Sequence, residues 1–312
     1  MEAWLWLVFG VVVVVSLSLD LAFFHRSPAQ ESLRASAAWS VFWVGIGVGF
    51  GILVGVTRGH DAGFAYFTAF LVEKALSVDN LFVFFALFAY FGVEPRHQHR
   101  VLFWGILGAL VTRGVFIFAG VALLQSFHWL VWVLGALLVA TGAKLAVGDG
   151  GEVHPERNVV VRAASRVLPI APGASEGRFV VRVDGLLRIT PLALVLVAVE
   201  TTDVMFAVDS VPAVLAISRD LLVVYSSNIF AILGLRALYF VLAGALRTLR
   251  YLRPALSLIL VLIGVKMLLV EVVDVPTVWS LTAVVAILAG ATIASLLNPE
   301  PAPQEPGEGT DE

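Results

Sequence analysis

Two short segments concentrate acidic residues inside otherwise apolar runs. One reads Glu73-Lys74-Ala75-Leu76-Ser77-Val78-Asp79-Asn80, and the other Asp203-Val204-Met205-Phe206-Ala207-Val208-Asp209-Ser210, with Glu200 three residues ahead of it. Both run acid, five residues, acid, then a small amide or hydroxyl, and both place Val immediately before the second acid. Carboxylates, amides and hydroxyls are hard oxygen ligands that suit Mg²⁺, Ca²⁺ or Mn²⁺. Glu73, Asp79, Asn80, Glu200, Asp203, Asp209 and Ser210 therefore form the candidate metal-ligating set. Asp20, Lys74, Ser77 and Asn228 are secondary candidates. Softer ions would call for other residues. The chain has no Cys, and its six His fall in loops or at helix ends. Met205 sits between acids as a soft ligand or as packing. Cu⁺ and Zn²⁺ are disfavoured, and thiol chemistry is excluded.

The helix period sets which of these groups can meet. At roughly 100° per residue, seven residues return to nearly the same face. Glu73 then lies with Asn80, and Asp203 with Ser210, while Glu200 and Asp203 are neighbours three apart. Asp79 and Asp209 point elsewhere on a regular helix, and a local break would bring them to the same cleft. Pro212 offers such a break, because it cannot donate to the Val208 carbonyl, although an ordinary transmembrane kink is the plainer reading.

These groups must be held by membrane-spanning helices. Hydrophobic residues make up 60% of the 312 and charged ones only 14%, against about a quarter in soluble domains. The expected architecture is an all-α, polytopic transmembrane bundle of about nine helices, at 3–24, 37–57, 64–91, 101–124, 129–147, 191–217, 221–245, 255–273 and 276–297. The first is read as a retained helix rather than a cleaved signal, since no basic region precedes it. Residues 1–147 form a first transmembrane half of five helices and 191–297 a second half of four. Between them, 148–190 is an arginine-rich loop. Its stretch 179–190 is either a small hairpin turning at Asp184-Gly185 or a plain extended lead into the sixth helix. The tail 298–312, rich in Pro, Gly and Glu, is expected to be disordered. Arg58 and Arg219 stand alone on one side of the membrane, and the loop arginines crowd the other. The N-terminus is thus expected outside and the C-terminus inside.

An acid or base at a helix centre costs roughly 2.5–3.5 kcal/mol on insertion scales. Five carboxylates facing lipid would cost on the order of 12–18 kcal/mol, as much as a typical protein's folding stability. They must face a protein interior or wet cavity and be paired, protonated or metal-bound. The bases at depth are Lys74, Arg113, Arg236 and Lys266. A purely structural ion-pair network is one reading. A cation site with Lys74 as counter-charge when empty is the other, favoured because the acids cluster in two segments while the bases are scattered. The two acidic segments form a weak internal repeat, and such repeats often place a transport site at their interface.

The same residues carry a family resemblance. The segment 73–80 resembles the first signature of the TerC/Alx family, and Glu200-Thr201-Thr202-Asp203 through Asp209-Ser210-Val211-Pro212-Ala213 its second. Ser227-Asn228-Ile229-Phe230 through Gly234-Leu235-Arg236, Asp184-Gly185-Leu186-Leu187 and Thr190-Pro191-Leu192 are also similar, so the likeness runs over roughly 1–297. It implies a multi-pass bacterial inner-membrane protein of the LysE-like transporter group, with Mn²⁺ export as the leading function. Proton exchange at the shared carboxylates would be a natural coupling. The family's tellurite associations imply the alternative, a non-transporting assembly or stress-response factor. The expected partners are a divalent cation, protons and the lipid bilayer, with no nucleic acid and no permanently bound cofactor. An enzyme is not expected: the Gly-x-Gly-Asp of intramembrane aspartyl proteases is missing, and no membrane His could activate a serine.

Overall fold

The computed structural model describes residues 3–24, 33–127, 129–147, 177–183, 186–245, 251–269, 272–273 and 276–298. Most of the loop 148–190, all of the tail beyond Asn298 and the hairpin turn at 184–185 lie outside the described residues.

Within them the chain forms ten helices and one hairpin. The helices are α1 (Ala3–Phe24), α2 (Leu33–Arg58), α3 (His60–Tyr90), α4 (Pro95–Ser126) and α5 (Leu130–Val147). After the hairpin come α6 (Pro191–Ile217), α7 (Leu221–Ile232), α8 (Leu235–Ala245), α9 (Leu252–Leu268) and α10 (Thr277–Leu297). The hairpin pairs β1 (Val180–Val183) with β2 (Leu186–Ile189), antiparallel, in the register Val183 to Leu186. This resolves the two sequence readings of 179–190 in favour of the hairpin. Thr190 closes it by donating from its backbone N–H to the Phe179 carbonyl at 2.9 Å.

Among the described residues seven stretches are long and apolar enough to cross a membrane: α1, α2, α4, α5, α6, α7 together with α8, and α10. The helix α9 is apolar but shorter. At 31 residues α3 has ample length, and the charges at Glu73, Lys74 and Asp79 are what set it apart from the others.

The burial pattern is that of a bundle in lipid. Along α1 the buried residues are Leu5, Phe9, Val13, Ser16 and Asp20, three or four apart, while Leu7, Val11, Val14 and Val15 lie exposed. A helix with an apolar outer face and a helically spaced buried stripe suits hydrocarbon on one side and protein on the other. By contrast α7 is enclosed: Leu222 to Val224 and Ser226 to Ile232 are all buried. The helix α3 packs against α2, α6, α7, α8 and α10, which makes it the central strut.

Small residues set the closest approaches. A Cβ on Gly63 of α3 would lie 2.9 Å from Gly55 Cα of α2. Between α5 and α9, Ser257 donates to the Gly142 carbonyl at 2.7 Å. Close backbone approach of this kind substitutes for the hydrophobic drive that lipid does not supply.

Two expectations are corrected. The span expected as one helix over 221–245 is broken at Leu233-Gly234 into α7 and α8. The break looked for at Pro212 does not occur, because Pro212 lies inside an uninterrupted α6. Gly234 has φ +81°, a conformation that costs glycine little and other residues more. Lys74 reaches across from α3 and donates to the freed carbonyls of Ala231 at 2.9 Å and Leu233 at 3.4 Å. A cation against the carbonyl end of a half-helix satisfies acceptors that would otherwise be stranded at bilayer depth.

Candidate cation site

Arg113 comes from the middle of α4 and is fully buried. One turn to either side, Ala109 and Ile117 belong to two different apolar clusters. The same holds on α6, where Val199 and Ala207 flank Asp203. A polar layer therefore lies between two apolar plugs.

Three helices, α3, α6 and α7, converge on the Arg113 guanidinium of α4. Its Nη1 donates to Glu73 Oε1 of α3, and both side chains have no exposed surface. Its Nη2 lies 3.3 Å from Asp203 Oδ1 of α6. Nη1 also lies 3.3 Å from Asn228 Oδ1 of α7 and 3.4 Å from Ser210 Oγ of α6. Asp203 and Ser210, seven residues apart, reach the same group as the helix period requires. Every acceptor around the guanidinium is oxygen. Two carboxylates against one guanidinium leave excess negative charge in a place where charge is expensive to bury.

The cluster is incompletely satisfied. Glu73 Oε2, Asp203 Oδ2, Ser77 Oγ, Asn228 Nδ2 and Arg113 Nε are buried without a hydrogen-bond partner among the described residues. Native interiors pair nearly all such atoms, and exceptions call for a functional or structural reason.

The other candidates divide as follows. Asn80 is buried on the face of α3 that carries Glu73. Glu200 is half-buried against α4, where its carboxylate fills the space beside Gly108 and lies close enough to Asp203 for the two to repel. The side chains of Asp79 and Asp209 lie outside the described residues, though their backbones sit within α3 and α6. Among the described residues no three His, Asp or Glu side chains cluster as a ready metal site.

Three residues take other roles. Asp20 is buried in a separate ion pair with Arg236 of α8, Oδ1 to Nη2 at 2.7 Å. Lys74, expected as the counter-charge, is engaged at the α7–α8 break, and Arg113 holds the carboxylates instead. Met205 is 64% exposed on the outer face of α6, so neither the ligand nor the core-packing reading applies. The residue that sequence reasoning under-weighted is Arg113, which was one of four interior bases. Its signal was there: α4 has no interior acid, so its arginine had to find partners on other helices.

Fold and site together define a multi-pass helical membrane protein with a buried charge cluster at the middle of its bundle. Residues 58–301 match the Integral membrane protein TerC family. The chain belongs to that family. It is 42% identical over 299 residues to the uncharacterized membrane protein STKORF319 of Myxococcus xanthus, covering 96% of this chain and 94% of that one. It is 43% identical over 303 residues to the Salmonella typhi protein Alx, covering 94% and 93%. To Alx of Escherichia coli (strain K12) it is 41% identical over 293 residues, covering 91% of each. Both Alx proteins are provisionally named membrane-bound redox modulators. No solved structure matches the chain.

Proposed function

We propose that this protein is a secondary transporter of the bacterial inner membrane that exports a divalent metal cation, with Mn²⁺ the leading cargo. One observation carries the reading: Glu73 and Asp203 converge from α3 and α6 on a single cationic group, enclosed at mid-bundle, and each keeps one oxygen without a partner among the described residues. A pair of buried carboxylates with spare acceptor capacity is a place for a cation. Asn228 and Ser210 add neutral oxygens, and Asp79, Asn80, Glu200 and Asp209 are further ligand candidates on the same two helices. Hard oxygen donors favour Mn²⁺, Mg²⁺ or Ca²⁺, and the choice of Mn²⁺ comes from the family resemblance.

The enclosure supports a transport mechanism in which the bundle opens alternately to each side. The broken span α7–α8, beside α3, resembles the discontinuous helices that build transporter sites. The cluster carries one more carboxylate than guanidinium charge, which a proton can balance when cargo leaves, so exchange of cargo for protons is the coupling we favour. The excess of loop arginines supports an orientation with the N-terminus outside and the hairpin inside.

The second reading is a non-transporting membrane factor in which Glu73, Arg113 and Asp203 are a fixed internal brace. The observation in its favour is that Arg113 already engages both carboxylates. A thiol-based redox role has no residue to perform it in this sequence, because it contains no Cys.

The test is cellular manganese in a bacterium stripped of its own exporters and challenged with Mn²⁺. Wild type should lower total Mn, and Asp203→Asn or Asp209→Asn at equal membrane abundance should not. Wild type that leaves total Mn unchanged would leave only the brace reading, and variants that lower Mn as well as wild type would move the cation path away from these carboxylates.

A further inference from the structure

The guanidinium of Arg113 stands where a cargo ion would stand. It touches Glu73 Oε1, Asp203 Oδ1, Asn228 Oδ1 and Ser210 Oγ, an all-oxygen cage of the type that hard divalent ions prefer. We infer that Arg113 is the specificity-determining residue of this site: it competes with the cargo for Glu73 and Asp203, so that only a cation of higher charge can take the carboxylates from it. The inference rests on the divalent-cation reading above and adds to it the way monovalent ions are refused.

Coulombic arithmetic makes the discrimination. A divalent ion settling beside the guanidinium would meet a fixed positive charge at contact distance in a low-dielectric interior, where that repulsion is strong. Binding must therefore be exchange. Replacing the guanidinium by Na⁺ or K⁺ swaps one unit charge for another. It gains no attraction, gives up the fork's hydrogen bonds and strips the ion of water. Replacing it by a divalent ion doubles the attraction at each carboxylate for the same separation. Monovalent ions vastly outnumber trace metals in a cell, so a site of two bare carboxylates would need such a filter.

Three of the four contacts lie at 3.3–3.4 Å, beyond the 2.7–3.2 Å of firm N–H···O bonds, and Nε has no partner among the described residues. Loose contacts of this kind suit exchange. A guanidinium meant as a permanent brace would be expected to use more of its five donors at short range.

The experiment titrates purified protein with MnCl₂ in choline chloride, and again with NaCl at equal ionic strength. Wild type should bind Mn²⁺ with an affinity indifferent to that swap. Arg113→Gln should bind Mn²⁺ at least ten-fold more tightly in choline and lose several-fold of that in Na⁺. Arg113→Lys, which keeps the charge but cannot fork between the carboxylates, should fall between them. If Arg113→Gln unfolds without metal, Mn²⁺ should restore its thermal transition; if metal does not restore it, Arg113→Lys decides, and affinity equal to wild type overturns the inference. Wild type that binds Mn²⁺ while Arg113→Gln binds it no more tightly and stays blind to Na⁺ overturns the inference and leaves the transport reading standing. Wild type that binds no Mn²⁺ sinks both.

Discussion

Glu73 and Arg113 are both fully buried, and their ion pair ties α3 to α4 at the middle of the bundle. Breaking one side of a buried pair strands the other charge, which costs about 3–5 kcal/mol, whereas removing both charges is often close to neutral. Arg113→Gln alone strands both Glu73 and Asp203 and should therefore lower the thermal midpoint of the detergent-solubilised protein sharply. The triple variant Glu73→Gln, Arg113→Gln, Asp203→Asn should recover most of that loss and still transport nothing. Recovery of flux along with stability would mean that Glu73 and Asp203 serve only as a brace.

The break between α7 and α8 depends on Gly234. A Cβ there would lie 2.6 Å from Trp43 Cβ, and the backbone is in the left-handed region. Gly234→Ala should cost about 1–3 kcal/mol from conformation alone, with the Trp43 clash adding to it. Thermal unfolding reads this directly, and an alanine variant as stable as wild type would show that the chain can straighten into one helix at this point.

Asp220 has two functions that substitution can separate. It caps α7, accepting from the Leu222 and Val223 backbone N–H groups at 2.9 and 3.1 Å, and it pairs with Arg58 at the end of α2. The pair is partly solvated, so it is worth about 0–1 kcal/mol. Losing the cap costs about 1 kcal/mol. Asp220→Asn, which keeps the acceptor, should stay near wild type, and Asp220→Ala should be measurably less stable than Asp220→Asn. Equal losses in the two would assign the effect to the charge.

The absence of Cys makes topology straightforward to probe. Leu187 is 71% exposed on the hairpin, and His60 is exposed at the turn between α2 and α3. In right-side-out spheroplasts, an impermeant maleimide should label His60→Cys and spare Leu187→Cys. The reverse pattern would invert the bundle and with it the direction assigned to transport.

Much of this was legible in the chain. Long apolar runs mark spans because each residue's side chain meets lipid or another helix, and neither needs tertiary context to be recognised. The acids at 73, 200 and 203 stand out for the same reason. Two features were not legible. Leu233-Gly234 sits in an apolar run where glycine is commonplace, and it breaks only because Trp43 and Lys74 arrive from α2 and α3. Arg113 could not be matched to Glu73 and Asp203, because three helices separated in sequence meet only in the folded bundle. Lys74, adjacent to Glu73 in sequence, looked like its partner, but neighbours on a helix point about 100° apart.

The central claim is that carboxylates from α3 and α6 carry a divalent cation through the membrane. Its most direct test is Mn²⁺ flux into proteoliposomes bearing the purified protein, with wild type, Glu73→Gln and Asp203→Asn reconstituted at equal amounts and an imposed pH gradient. The account predicts gradient-driven Mn²⁺ flux for wild type and at least a ten-fold loss in either variant. Wild-type vesicles no more permeable to Mn²⁺ than protein-free ones, or variants that match wild type, would contradict it.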